Sequence, residues 1–215
     1  MVYNLVVVGA SGFGRESLDV IEAIEKHEGS VRILGVVDDA PSNINLKRLR
    51  ERSIPFLGSV DEWSNNSEKE TRFVVGIGSP RIRESISKKL ESLGFQTLSI
   101  IHPRAEVGSN VKVSEGAVIC AGAVISTNVV LSRYTHVNPN VTIGHDSKIN
   151  DFVSLNPGSI ISGEVEIESG VLVGAGALIL QQLKIGLNST VGAGAVVTKD
   201  VPPNVVVKGV PGRWA

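Results

Sequence analysis

Aliphatic residues recur at a spacing of six through the second half of the chain. Counting from Ile101 they are Val107, Val113, Ile119, Ile125, Leu131, Val137, Ile143, Ile149, Leu155, Ile161, Ile167, Val173, Ile179, Ile185, Val191 and Val197, seventeen positions in all, every one Ile, Val or Leu. Four residues beyond each comes a small or β-branched residue in almost every case, among them Ala117, Ala123, Val141, Ser147, Val153, Ser159, Ala177 and Ala195, with Leu183 the bulky exception. Neither a helix of period 3.6 nor a strand alternating by two holds one face at that spacing unless the chain turns a corner every six residues. Three hexads then close a triangular coil of about 18 residues, with the aliphatics inside the prism and Gly, Asn or Asp at the corners. Seventeen hexads predict between five and six coils.

The first hundred residues follow a different pattern. An apolar run, Leu5 to Val8, leads through "GASGFG" (Gly9 to Gly14) into helical spacing at Leu18, Ile21 and Ile24, and a second run, Val31 to Val37, ends in Asp38 and Asp39. This is a βαβ unit with glycines at its first turn and acids after its second strand, where phosphate and sugar groups of a nucleotide bind in such units. The glycines are spaced GxxGxG and not GxGxxG, so a tight strand-to-helix turn explains them equally well. A third strand, Phe73 to Ile77, also runs into glycines ("GIGSP") and then a helix through Ile82, Ile86 and Leu90, so two glycine turns are expected at one crevice. Between them a loop, a short helix, a short strand and a turn are expected, with Lys47, Arg48, Arg50 and Arg52 on a solvated face; a strand from Phe95 to Ile101 joins the repeat. The predicted domains are 1–100 and 101–215.

Composition sharpens this picture. Aromatics are 4% and glycines number 23, as expected for a core of small aliphatics packed repetitively, and the net charge of −1 comes with no basic stripe, which argues against a nucleic-acid partner. The opening residues read as a strand and not a signal peptide, and no run approaches the roughly 18 apolar residues of a membrane span. Cys120 is the single cysteine and sits within the repeat without a neighbouring base, so a reducing cytoplasm is the expected location and nucleophilic catalysis is not expected of it.

Of the four histidines, His145 stands out, in "TIGHDSKIND", behind Gly144 and beside Asp146, at a place in the hexad where a corner presents a side chain outward. Acyl transfer from a thioester needs a base for the nucleophile's proton and a donor for the developing oxyanion. His145 suits the first role. Eighteen residues on, one coil away at about 4.8 Å, lies Gly163, whose N–H suits the second; a solvated His–Asp corner is the alternative. His27 belongs to a charged helix surface.

The repeat resembles that of the hexapeptide-repeat acyltransferases from residue 101 to about 212, including the tail "VGAGAVVTKDVPPNVVVKGVPG". The resemblance implies a left-handed parallel β-helix. With the glycine-turn domain in front, the whole chain is similar to the nucleotide-sugar acetyltransferases related to the enzyme that acetylates the 4-amino group of a UDP-linked bacillosamine precursor, with perosamine N-acetyltransferases and sialic acid O-acetyltransferases as relatives. The implied architecture is an N-terminal α/β Rossmann-like domain followed by that β-helix. The implied activity is acetyl-CoA-dependent N-acetylation of a nucleotide-linked amino-deoxy sugar, with no metal, by a homotrimer holding acetyl-CoA between subunits.

Carried over residue by residue, the resemblance makes His145 the base and Asp146 the acid that supports it, where relatives often have Glu. Asn138 is a further polar site residue. Ser11, Gly12, Phe13, Asp38, Asp39 and Gly78 hold the nucleotide sugar, and Phe13 stands where some members have histidine. Ser154, Ala175 and Ala193 contact acetyl-CoA, Ser154 again where a relative has histidine; "GAGA" at 174–177 and 192–195 serves equally as close-packed corners. The rivals are a sialic acid or other sugar O-acetyltransferase, a non-catalytic nucleotide-sugar-binding scaffold, a dehydrogenase, for which no second domain supplies a hydride-transfer site, and a metal-dependent hydrolase. The last needs converging histidines, whereas the hexad count leads us to expect His102, His136 and His145 on three different faces of the prism.

Overall fold

The computed structural model describes residues 2–214, which divide into two compact units, one ending at Pro103 and one starting at Arg104. The first unit runs β1 (Tyr3–Val8), α1 (Gly12–Glu28), β2 (Val31–Val37), α2 (Asn43–Glu51), α3 (Val60–Asn66), β3 (Arg72–Val75), α4 (Pro80–Ser92) and β4 (Gln96–Thr97). Its four strands are parallel in the order β2-β1-β3-β4. Leu5, Val6, Val7 and Val8 are all buried, as a central parallel strand covered on both faces requires. α1 buries Leu18, Ile21 and Ile24 and stops at Gly29, whose left-handed conformation lets its N–H reach the Glu25 carbonyl.

Several expectations shift in this unit. β3 runs one residue ahead of the expected start and ends at Val75, two residues before the expected Ile77, so its turn begins at Gly76. α4 buries Arg83, Ser87 and Leu90, leaving Ile82 exposed and Ile86 half-buried; the apolar pattern points to the neighbouring stripe because Arg83 reads as a surface residue. Burial pushes the Arg83 guanidinium down to about 9, and its Nη1 donates to the Ile77 and Gly78 carbonyls at 2.8 and 3.3 Å. The expected short strand is a single bridge from Phe56 to Val36, and the expected turn is α3. A capping box starts α3: Ser59 Oγ accepts from the Glu62 N–H while the Glu62 carboxylate accepts from the Ser59 N–H. The strand expected from Phe95 to Ile101 is broken into Gln96–Thr97 and Ile100–Ile101.

The second unit is the predicted coil, a left-handed parallel β-helix. Its strands are dipeptides, one per hexad, paired in parallel with residues 18 further on, as in Val130↔Lys148↔Glu166↔Lys184, except that Thr190 pairs with Val206. The register sorts them onto three sheets. The interior is made of two residues per hexad, the aliphatic and the small residue four positions later, from Ile119 and Ala123 to Val197 and Val201. Val107 departs from the pattern: its strand is the last of its sheet, with no further coil to cover it, and it is exposed.

Corners follow an equally strict period. Every sixth residue from Asn110 to Gly194 has a left-handed backbone, including Tyr134, Phe152, Glu164 and Gln182 besides the expected Gly, Asn and Asp. Such a conformation costs about 1–2 kcal/mol for an ordinary residue. At Tyr134 and Phe152, one coil apart, part of that cost is offset because the rings stack with centroids 5.3 Å apart and planes within 4°.

Candidate active site

In the first unit the chain leaves β1 toward β2 on one side and returns to β3 on the other. The gap between β1 and β3 is therefore the topological switch point, where open parallel sheets bind ligands beyond their strand ends. Both following helices start there. Neither N-cap, Ser11 of α1 or Ser79 of α4, places its side chain on the helix end, and neither first turn carries an acid, so both positive helix ends are unneutralised within their own helices.

Close backbone approach explains the buried glycines: a β-carbon on Gly14 would sit 1.8 Å from the Gly9 carbonyl oxygen, and one on Gly76 2.5 Å from the Gly14 Cα. Gly12 and Gly78 are different, exposed and with open space where a β-carbon would go. Ser11 is exposed and Phe13 half-buried at the same turn.

The two acids brace this rim. Asp38 accepts from the Ala10 N–H at 2.7 Å and the Ala40 N–H at 2.9 Å, so each of its oxygens fixes a loop, while Asp39 accepts from the Val60 N–H at the start of α3 at 2.8 Å. Arg52 departs from the solvated face expected of it: its Nη2 lies 2.7 Å from Asp19 and 2.9 Å from Glu22 on α1. Arg15, not singled out by its sequence context, donates to the Ala10 carbonyl and to Asn45, tying the glycine turn to α2.

In the β-helix, His145 and Asp146 occupy the corner after the strand Thr142–Ile143. Asp146 has φ of 59°, and this left-handed turn swings its carboxylate back to His145, with Oδ2 2.7 Å from Nδ1. Both side chains remain about half exposed. Hydrogen bonds from Asn128 and then from His145 hold the Asp146 carboxyl below its ordinary range, so it is ionised at neutral pH. An ionised acceptor requires the proton on Nδ1, which leaves the lone pair on Nε2.

The His145 ring lies over Gly163, one coil on: a β-carbon there would meet Nε2 at 2.6 Å and Cε1 at 2.7 Å. Gly163 accepts at its carbonyl from the Gln182 N–H, while its own N–H makes no bond in the coil-to-coil ladder among the described residues.

The remaining sequence-predicted residues are not gathered at this corner. Asn138 lies on the preceding face, is buried, and donates from Nδ2 to the Leu155 carbonyl at 2.9 Å; Asn150 does the same to Ile167, so the bond is a repeated coil brace. Ser154 is also buried, paired in register between His136 and Leu172, so it is not on the exposed surface where the resemblance puts the cofactor. Ala175 and Ala193 are exposed and stack one coil apart on the corner that opens the Thr142–Ile143 face, the face His145 closes. Gly174 beside them is needed for packing, since its β-carbon would lie 2.4 Å from the Ala193 nitrogen. Among the described residues no three His, Cys, Asp or Glu side chains gather in a metal-holding group, and no helix is long and apolar enough to cross a membrane.

A switch-point α/β unit joined to a hexapeptide β-helix with an outward His–Asp corner defines a class of two-part hexapeptide-repeat proteins. Residues 4–90 match the family described as PglD N-terminal domain. Over 146 residues, 67% of the chain, the sequence is 32% identical to the GDP-perosamine N-acetyltransferase of Escherichia coli O157:H7, and that stretch spans 63% of the relative's length. Among solved structures, a histidine-to-asparagine variant of perosamine N-acetyltransferase from Caulobacter crescentus, in complex with CoA and GDP-perosamine, matches with a TM-score of 0.88 at 25% identity, covering 100% of this chain and 98% of that one. The acetyltransferase domain of PglB from Neisseria gonorrhoeae FA1090, in complex with acetyl coenzyme A, matches with a TM-score of 0.86 at 29% identity over 100% of both chains. Residues 4–90 thus carry the pattern of the PglD N-terminal domain, and the chain as a whole is similar to the perosamine and PglB acetyltransferases.

Proposed function

We propose that this protein transfers an acetyl group from acetyl-CoA to the 4-amino group of a nucleotide-linked amino-deoxy sugar. The observation that carries the reading is the His145 corner: a half-exposed imidazole, oriented by an ionised carboxylate and lying against a residue without a side chain. The relatives, named for N-acetylation of GDP-perosamine or solved with CoA, support the reaction class.

In this mechanism the amine nitrogen attacks the thioester carbonyl as His145 Nε2 takes its proton, and the imidazolium is stabilised by Asp146. The C–N bond forms, and the negative charge on the carbonyl oxygen is met by the Gly163 N–H. Collapse breaks the C–S bond, and the proton held by His145 passes to the departing sulfur, giving CoA and the amide. Acetyl-CoA supplies the acyl group; no step calls for a metal ion.

The nucleotide sugar is assigned to the switch-point crevice, its phosphates toward the start of α1 at Ser11, Gly12 and Phe13 and toward Gly78, with Asp38 and Asp39 bracing the rim. Acetyl-CoA is assigned to the face between the Ala175–Ala193 corner and the His145 corner. Val124 and Ile160 stand exposed there, and an apolar face of that kind supports assembly as a homotrimer with cofactor between copies.

The test is thiol release from acetyl-CoA with UDP- and GDP-linked 4-amino sugars and with sialic acid. Both nucleotides are included because the resemblance implies UDP whereas the named relatives use GDP. Release with one amino sugar, lowered about 10²- to 10⁴-fold in His145→Ala, is the expected result. Release with sialic acid alone moves the activity to O-acetylation. Nucleotide-sugar binding without release from any acceptor leaves a binding scaffold.

A further inference from the structure

The corner beneath Asp146 carries a column of side-chain amides that the proposed mechanism has not used. Residues 110, 128 and 146 are 18 apart, and all three have left-handed backbones, with φ of 58°, 60° and 59°. Their side chains therefore leave the prism in the same direction and stack one coil above another.

Asn110 Nδ2 donates to Asn128 Oδ1 at 3.3 Å, Asn128 Nδ2 donates to Asp146 Oδ1 at 2.9 Å, and Asp146 Oδ2 lies 2.7 Å from His145 Nδ1. The direction of this chain is fixed by its ends: a carboxylate only accepts, so Asn128 must present its NH₂ to Asp146 and its oxygen to Asn110.

We propose that Asn128 is a positioning residue for the His145–Asp146 pair, holding one carboxylate oxygen so that the other stays on Nδ1 and Nε2 faces outward; this rests on the reading of His145 as the base. Asp146 is shorter than a glutamate and has few rotamers with which to find the ring. A donor on its second oxygen selects the one that serves. The bond from Asn128 is also the largest influence holding the Asp146 carboxyl low, ahead of the histidine itself.

The charges around the pair agree with this assignment. The residue stacked above Asp146 is Glu164, a like charge one coil away on the same corner. Its Oε2 accepts from Gln182 Nε2 at 3.2 Å, further along the column and away from Asp146. Asp146 is thus drawn toward Asn128 and Glu164 toward Gln182, so the two acids diverge. On the adjoining face Lys148 stands 3.7 Å from Glu166 and is drawn to that partner. Beneath His145 the neighbouring side chain is Thr127, whose hydroxyl donates to the Ser109 carbonyl, so it competes for neither nitrogen.

The experiment compares the full-length wild type with Asn128→Ala, Asn128→Asp, Asn150→Ala and His145→Ala. Each variant is checked first by its melting temperature. Asn128→Ala is expected to lower kcat by about tenfold with KM for both substrates within about twofold, the mark of a group that acts only on the reacting arrangement. Asn128→Asp sets a second carboxylate against Asp146 and favours the imidazolium, so the acid limb of the kcat/KM profile is expected to move to higher pH. Asn150→Ala removes a coil-to-coil amide bond on another corner and is expected to keep wild-type kcat.

Long-range proton–nitrogen NMR of the imidazoles, with His145→Ala as the assignment control, reads the pair without substrate. A ring protonated on Nδ1 in the wild type that becomes a mixture of tautomers in Asn128→Ala supports the inference. An unchanged tautomer together with unchanged kcat overturns it. Persisting turnover in His145→Ala sinks the proposed mechanism instead, and the NMR comparison still decides whether Asn128 sets the pair.

Discussion

Gly163 has no β-carbon, and the His145 ring occupies the space one would need. A methyl group there meets Nε2 at 2.6 Å, a distance that only a swing of the ring relieves. Gly163→Ala is therefore expected to lower kcat by about 10-fold or more while far-UV circular dichroism keeps its wild-type form; wild-type turnover would show that the ring works from another position. That His145, Asp146 and Gly163 would meet was legible in the sequence because adjacency and a spacing of 18 are properties of the repeat itself. Asn128 was not, since an asparagine at a corner reads as a turn former in any hexad. Only the stack gives its amide a partner. Asn138 has a structural bond that its place in the sequence does not show, since its bond to Leu155 recurs from Asn150 to Ile167.

At the scale of elements, two kinds of packing hold the protein's two units. Each coil of the β-helix sets three pairs of inward side chains against the coils on either side. Ile149, fully buried in that stack, is a fair probe: Ile149→Ala is expected to cost about 2–5 kcal/mol in denaturant unfolding, against under about 1.5 for Ile149→Val. In the first unit the seam between strand ends and α1 is backbone on backbone. Gly14→Ala drives a methyl group into the Gly9 carbonyl, and nucleotide-sugar affinity measured by calorimetry is expected to fall by about tenfold or more, with the β-helix unaffected. The spacing of six made the coil readable from sequence, while the helices around the sheet were read less well. α4 turns Arg83 inward because its guanidinium finds the carbonyls after β3, which an apolar count does not register. α3 carries a start signal in its sequence, the Ser59–Glu62 capping box.

For the whole molecule, acid sensitivity follows from its carboxylates. Asp146, Glu62 and Glu168 are each held below their ordinary values of 3.8, 4.5 and 4.5 by hydrogen bonds, Asp146 chiefly from Asn128, Glu62 from Ser59 and Glu168 from Lys184. A depressed carboxyl binds its proton less readily folded than unfolded. Its contribution is therefore complete above the ordinary value and is lost as pH falls through the folded one. Glu16 is raised by burial and works the other way. Lys184 is raised by its hydrogen bond to Glu168, so that bond stabilises up to its ordinary 10.5 and weakens above it. The melting temperature at low salt is expected to fall below about pH 4.5, by less in Glu168→Gln; an equal fall in that variant would assign the loss to other groups.

The central claim is that one corner of the β-helix acetylates an amino sugar delivered on a nucleotide. Its most direct test is mass spectrometry of the sugar nucleotide after incubation with acetyl-CoA, for wild type and His145→Ala side by side at equal nucleotide-sugar occupancy. The account predicts one added acetyl group, placed on nitrogen by fragmentation, in the wild type and almost none in the variant. Acetylation that proceeds equally without His145, or an acetyl group found on a hydroxyl, would contradict it.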